Sequence, residues 1–266
     1  MKIAVINFSG NVGKTTVTHH LLAPRIPGTE VIAVESVNAG HGAGQSLRGR
    51  QFGELQEFLQ TVEHAVVDIG ASNVEDLLAP MRRYKGSHAD FDCFVVPTVA
   101  TVKQQQDTMA TLVDLSRLGV DASRIKLVFN MIEDTSTIAA SFALLLAFVA
   151  EHPVMQPDVR CHLSMNEVYQ RVKGIGTDLV TLASDDTDYK ALIAQTADTA
   201  DKLTLAHKLA TRRLARGVLP ELDTCFAALA LDHLAPNAAG SAAGSATDTA
   251  MGTQWIGQRE PSQHSA

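Results

Sequence analysis

Asn7-Phe8-Ser9-Gly10-Asn11-Val12-Gly13-Lys14-Thr15-Thr16 is the stretch that decides the fold. Before it stands Lys2-Ile3-Ala4-Val5-Ile6, an apolar run long enough for a buried strand; after it, Val17 to Leu22 has room for the opening of a helix. Strand, glycine loop, Gly-Lys-Thr and helix, in that order, form the setting in which backbone N–H groups turn inward around phosphates. The helix N-terminus adds unpaired donors and partial positive charge. On this reading Gly10, Asn11, Val12, Gly13, Lys14, Thr15 and Thr16 line a nucleotide site. Lys14 reaches the β- and γ-phosphates, and the Thr15 hydroxyl sits on Mg²⁺. The competing reading is a glycine turn with a surface lysine. A bare Gly-x-x-Gly-Lys-Ser/Thr arises by chance in roughly one chain in a hundred of this length, and the flanking strand and helix make chance a poorer account.

Outward from the loop, buried strands and helical stretches alternate. Val31-Ile32-Ala33-Val34 is a second strand, closing on Glu35. Phe52 to Leu59 places Phe52, Leu55, Phe58 and Leu59 at the spacing of a helix facing a core. Ala65-Val66-Val67-Asp68-Ile69-Gly70 is a strand with an aspartate near its carboxyl end, where open parallel sheets place ligands. Asp68 is either a strand-ending turn residue or, given a phosphate loop, the carboxylate that holds the Mg²⁺ shell. Gly70-Ala71-Ser72-Asn73 continues as a switch segment. Phe91 to Pro97 is a strand ended by its proline, Val102 to Leu118 a helix with Met109, Leu112 and Val113 on one face, and Ile125 to Asn130 a further strand. The alternation predicts a doubly wound, mostly parallel α/β sheet with helices on both faces, a P-loop NTPase fold. Right-handed crossovers put the strand carboxyl ends on one rim, so the loop, Glu35, Asp68 and Asn130 converge on one pocket.

The loop departs from Gly-x-x-x-x-Gly-Lys-Thr, which needs glycine where Phe8 stands. It fits the shorter Lys-Gly-Gly-x-Gly-Lys-Thr, aligned on Ser9-Gly10-Asn11-Val12-Gly13-Lys14-Thr15. With the preceding Ile-Ala-Val-Ile-Asn, the first 135 or so residues resemble the ParA/MinD family of deviant Walker ATPases. The opening through Pro27-Gly28 most resembles the StbB proteins of conjugative plasmids. That resemblance implies ATP and Mg²⁺ as ligands, an ATP-dependent homodimer, and a role in plasmid partition, positioning or conjugative transfer through DNA or a plasmid-encoded DNA-binding partner. It implies Lys14 and Asp68 in catalysis, Thr15 and Asp68 as metal ligands, and an asparagine at position 130 facing adenine; a simple capping role for Asn130 also fits its place. Glu35 completes the catalytic set only as a substitute, a carboxylate that binds the metal shell or positions water where the family's own is missing. The family's lysine that crosses to a partner's phosphates is Ser9 here. The second aspartate of its Asp-x-Asp is Val37, and one of its loop glycines is Asn11. These departures fit a slow ATPase that reads nucleotide occupancy.

At 266 residues, with 45% hydrophobic and 19% charged residues, the chain suits one α/β domain with additions, or two small domains. Only 5% are aromatic, too few for a base-stacking platform on single strands. A net charge of −7 confines any nucleic-acid contact to a local basic patch. Cys93, Cys161 and Cys225 have no zinc or disulfide spacing and read as reduced, buried thiols of a cytoplasmic protein. No secretory signal opens the chain. The longest apolar run, Ile138 to Ala150, is too short to span a bilayer and reads as a core helix, so no membrane partner is expected.

The carboxyl-terminal part reads as an extension. Arg160 to Leu163 is an edge strand, Ser184 to Asp188 a helix cap, and Tyr189 to about Gly217 a helix, followed by a short one from Leu219 to Leu234. Lys208, Arg212, Arg213 and Arg216 make a basic stripe on that helix. It is a solvated face, a salt-sensitive contact for DNA phosphates or an amphipathic membrane helix, the last disfavoured because its apolar face lacks bulky aromatics. The tail from Ala235 is rich in Ala, Gly, Ser and Thr and reads as disordered. The expected division is therefore a nucleotide-binding domain over 1–200, a helical extension over 201–234 and a tail over 235–266. Two other functions use related folds: an ATP-dependent ligase resembling dethiobiotin synthetase, which needs a second substrate pocket, and an iron–sulfur ATPase, which needs paired cysteines at a dimer interface.

Overall fold

The computed structural model describes residues 1–34, 49–173 and 177–234. Six strands form one wholly parallel sheet: β1 (Lys2–Val5), β2 (Glu30–Val34), β3 (Ala65–Ile69), β4 (Cys93–Thr98), β5 (Ile125–Ile132) and β6 (His162–Ser164). Their order is β2-β3-β1-β4-β5-β6. The chain leaves β1 for β2, returns through β3, then crosses β1 to β4. The strand order therefore reverses at β1, and the crevice beyond its carboxyl end is where such sheets bind ligands. β3 and β4 are buried at every residue, as expected of strands covered on both faces.

The alternation of side chains along each strand feeds two apolar layers. Ala4, Ile6, Val67, Phe94 and Leu127 face a layer completed by Phe52 and Leu59 of α2 (Gly49–Thr61), Leu77 of α3 (Val74–Arg83), Leu112 and Leu115 of α4 (Val102–Arg117), and Leu145 and Val149. Ile3, Val5, Val66, Val95 and Val128 face the other, closed by Val17 and Leu21, by α7 (Val168–Arg171) and α8 (Leu179–Ser184), and by the long α10 (Thr199–Leu229). The expected doubly wound α/β fold is the observed one.

Several local expectations are corrected. Pro97 does not end β4; the strand runs to Thr98, and Pro97 pairs in register with Val128. Phe58 is 41% exposed, so only Phe52, Leu55 and Leu59 of α2 face the core. The run expected as one core helix is α5 (Ile138–Ser141) and α6 (Ala143–Glu151), broken at Phe142. Only Ile138, Phe142, Leu145 and Val149 are buried there, a single face. Phe142 packs edge-on against Phe129, with ring centres 4.8 Å apart. Gln105 Nε2 donates to the Ser141 carbonyl and its Oε1 accepts from Leu145 N–H, satisfying backbone groups at the break.

The helix expected from Tyr189 divides into α9 (Tyr189–Gln195) and α10, each capped by an aspartate side chain, Asp188 and Asp198. In the other direction, α10 continues through Gly217 and Pro220, where a break was expected. A glycine and a proline cost a helix interior about 1 and 3 kcal/mol. Val218, Leu222, Cys225 and Leu229 lie on one buried stripe crossing both, and apolar side chains of this size give roughly 1.5–3 kcal/mol each on full burial, so packing wins. The expected boundary at residue 200 thus falls inside a helix that packs on the sheet. Arg25 ties α10 to the segment behind the phosphate loop. Its guanidinium donates to the carbonyls of His20 and Leu21 and, at 2.7 Å, to Asp223 of α10.

Among the described residues no helix is long and apolar enough to cross a membrane. All three cysteines are buried, and burial pushes the Cys93 and Cys161 thiols up to about 12. Glu35, Val37 and the tail from Ala235 lie outside the described residues.

Candidate functional site

The loop after β1 takes the shape a phosphate needs. Asn11 and Gly13 are left-handed, with φ of 59° and 87°. Backbone turning this way aims successive N–H groups into a common hollow. Asn11 stands where the resembling family has glycine, and asparagine is one of the few other residues that visit this conformation at small cost. Lys14 opens α1 (Lys14–Thr16), which passes into a π-helical turn over Val17–Leu22. Its ammonium is buried within the loop, donating to the carbonyls of Ser9 at 2.7 Å and Asn7 at 3.2 Å. Burial lowers the Lys14 pKa, and the Asp68 carboxylate partly opposes the shift. A desolvated cation hydrogen-bonded to two neutral carbonyls, with one carboxylate acting on it, suits a polyanion that adds countercharge.

One strand away, the Thr15 hydroxyl donates to Asp68 Oδ2 at 2.7 Å. β1 and β3 are direct neighbours with Val5 opposite Asp68, which sets this meeting. Two hard oxygen donors at the mouth of a phosphate cradle match Mg²⁺, which takes one or two protein oxygens and fills the rest of its shell with phosphate and water. Among the described residues no three His, Cys, Asp or Glu side chains gather as a metal cage, so a protein-only metal centre is not built there.

Asn130 converges on the phosphate loop through its side chain. Its carboxamide Nδ2 donates to the Val12 carbonyl at 2.8 Å, and its Oδ1 accepts from Met131 N–H at 2.9 Å. The side chain is only 3% exposed. A Cβ on Gly13 would lie 1.9 Å from Asn130 Nδ2, so glycine is required there twice, for its φ and for this approach. Asn130 braces the phosphate loop from below.

A second brace was not read from the sequence. Asn7 Nδ2 donates to the Pro97 carbonyl and to Thr108 Oγ1, at 2.9 and 2.8 Å, and Phe8 N–H donates to Thr111 Oγ1. Asn7 Oδ1 accepts from Ser9 N–H at 2.7 Å. Ser9 is 3% exposed. Lys103, at 2.9 Å, holds the Asp107 carboxyl below its usual range, with further help from the Ser9 hydroxyl. The signal that could have revealed this brace is polarity in the wrong place: Gln105, Thr108 and Thr111 occupy the face of α4 that periodicity assigns to the core, and all three are buried.

The basic stripe divides. Arg212 donates to the carbonyls of Asp185 and Thr187 and lies over the Tyr189 ring at 4.8 Å. Arg216 donates to the carbonyls of Ala183 and Asp185. These two guanidiniums cap the end of α8, while Lys208 and Arg213 remain exposed. Exposed Asp186, Asp188 and Asp201 stand nearby and oppose the field of the remaining cations. A cavity of about 540 Å³ lies in this region, lined by Leu182, Tyr189, Leu203 and Lys208 among others, on residues apart from the phosphate loop.

No family model matches the chain, and no curated protein does. Among solved structures, MinD of Aquifex aeolicus is 11% identical at a TM-score of 0.47, over 82% of this chain and 97% of that one. An ATP complex of Cyanothece McdA is 13% identical at 0.43, over 82% and 96%. A plasmid partition protein of Borrelia burgdorferi bound to AMPPNP is 13% identical at 0.41, over 79% and 96%. With scores this low, the fold stands on its own strand order and loop geometry.

Proposed function

We propose that this chain is an ATP-binding switch, a slow P-loop ATPase whose nucleotide drives homodimerisation, acting in plasmid partition, positioning or conjugative transfer as the StbB-like opening suggests. The observation that carries the nucleotide reading is the buried Lys14 ammonium, held between two loop carbonyls beside a backbone that is left-handed at Asn11 and Gly13. Loop N–H groups and Lys14 would bind and orient the β- and γ-phosphates. Thr15 and Asp68 would hold Mg²⁺, which supplies charge neutralisation on the phosphoryl oxygens. Asn7, Thr108 and Asn130 keep the loop in shape before the ligand arrives, so little ordering is left to be done on binding. Ser9 carries no charge, so a lysine bridge from position 9 to a partner's phosphates is absent from this reading.

The test is light scattering on size-separated protein with and without ATP and Mg²⁺. The expected result is a shift to twice the monomer mass with ATP, absent in Lys14→Ala. An unchanged mass in both proteins sinks the switch. DNA added in the same run at low and high salt decides between direct DNA contact and a protein partner. Binding that falls steeply with salt, and weakens in Lys208→Glu/Arg213→Glu, favours DNA; no binding at either salt leaves the protein partner.

A further inference from the structure

At the break between α5 and α6 a rung of the helical ladder is replaced by a side chain. In an unbroken helix over 138–151, Leu145 N–H would donate to the Ser141 carbonyl, four residues back. Rungs before and after that one are made: Phe142 N–H donates to the Ile138 carbonyl at 3.0 Å and Leu146 N–H to the Phe142 carbonyl at 2.9 Å. Between Leu145 and Ser141 stands the carboxamide of Gln105, from α4. Its Nε2 donates to the Ser141 carbonyl at 2.9 Å and its Oε1 accepts from Leu145 N–H at 3.1 Å. Insertion into an i→i−4 position is a known cause of a helix break. The Ala and Leu residues around it favour a continuous helix, so the broken form depends on the insertion. With Gln105 withdrawn, Leu145 N–H and the Ser141 carbonyl can bond each other, and Nε2 keeps its 2.7 Å bond to the Ala100 carbonyl. What opposes withdrawal is Oε1, which would lose its donor in a side chain only 2% exposed. Two arrangements of the same backbone therefore compete, and one buried carboxamide sets the balance.

Gln105 also belongs to the run of buried polar residues by which α4 holds the phosphate loop. Three and six residues further on, Thr108 and Thr111 accept from Asn7 Nδ2 and Phe8 N–H. The Asn7 carbonyl in turn accepts from the Lys14 ammonium at 3.2 Å, as the Ser9 carbonyl does at 2.7 Å. Phosphates in the loop compete for that ammonium, and a carbonyl that Lys14 leaves loosens Asn7 and, through it, the seat of α4. We propose that Gln105 couples the phosphate loop to the break: nucleotide in the loop shifts α4, withdraws the carboxamide and closes the ladder from Leu145 to Ser141. The proposal rests on the nucleotide reading above and names how that site is regulated. Gln105 is a positioning residue and touches no ligand. The segment that straightens carries Leu144, 43% exposed, so occupancy of the loop is displayed on the outer surface. Coupling is reciprocal, so a change that closes the ladder tightens nucleotide and one that opens it weakens nucleotide.

Two substitutions push the ladder in opposite directions. Gln105→Met keeps the length of the side chain and removes both bridging bonds, so the ladder closes. Ala143→Gly penalises a helix interior more than a helix start, so the break is favoured. Calorimetry of ATP with Mg²⁺ on the full chain is expected to show about three- to tenfold tighter binding in Gln105→Met and up to about fivefold weaker binding in Ala143→Gly. Hydrogen exchange across 138–151 reads the ladder itself. Adding ATP and Mg²⁺ should slow it several-fold in the wild type and leave it unchanged in Gln105→Met, where it is slow from the outset. Ala143 is exposed, so Ala143→Gly is expected to fold, and its arm stands even where Gln105→Met does not. Affinities that move the same way in both variants, or in neither, overturn the coupling and leave Gln105 a packing residue. An equal slowing of exchange in wild type and Gln105→Met overturns it as well. A wild type that binds ATP without these shifts refutes this inference alone. A wild type that binds no ATP refutes the nucleotide reading, and the coupling falls with it.

Discussion

Replacing Lys14 with methionine is expected to weaken ATP binding by about a hundredfold, the scale of losing a charge-assisted contact to phosphate. The same substitution should change how stability depends on pH. Burial holds the Lys14 pKa below its ordinary 10.5, so the unfolded chain binds that proton more tightly than the folded one. Below the folded pKa the ammonium is charged in both states, and its desolvation counts fully against the fold. As pH rises from the lowered value toward 10.5, that penalty is shed and the wild type gains stability. Methionine does not titrate, so melting curves should move in favour of the wild type relative to Lys14→Met as pH climbs through that window. A difference that is flat with pH would mean the ammonium is not desolvated in the loop.

Gly13→Ala should be the most damaging single methyl in the protein's site. It adds a Cβ at φ 87° and 1.9 Å from Asn130 Nδ2. The left-handed conformation costs about 1–2 kcal/mol and the overlap about 1–3 kcal/mol, so urea denaturation should show a loss of roughly 2–5 kcal/mol with ATP binding lost as well. The two causes are separable. In an Asn130→Gly background the overlap is gone and only the conformational cost remains, so Gly13→Ala should cost about 1–3 kcal/mol less there. Equal costs in both backgrounds would mean that Asn130 does not touch the loop.

Much of this was legible in the chain because the relevant signals are local. A parallel strand buried on both faces is an apolar run, and β1 and β3 read that way; β2 reads the same, but it is the edge strand of the sheet and none of its residues is fully buried, so the expectation of a second buried strand there is corrected. The phosphate loop is legible because its chemistry needs fixed residue types at fixed spacing. The meeting of Thr15 with Asp68 followed from the loop and the rim. What was hidden depends on contacts distant in sequence. Asn130 looks the same whether it faces a base or supports Val12, 118 residues away. Thr108 and Thr111 are polar residues at core-facing positions, and their purpose shows only when Asn7 and Phe8 are placed beside them. Arg212 and Arg216 read as a free basic face because nothing local shows that the end of α8 needs their donors. Gly217 and Pro220 read as a stop because their cost is local, whereas the burial that outweighs it comes from the sheet.

Titration of ATP with Mg²⁺ into the purified chain, followed by its heat, tests the phosphate loop most directly. The loop geometry predicts saturable binding at one site per chain, about a hundredfold weaker in Lys14→Met. No heat with adenosine or guanosine triphosphate would contradict it.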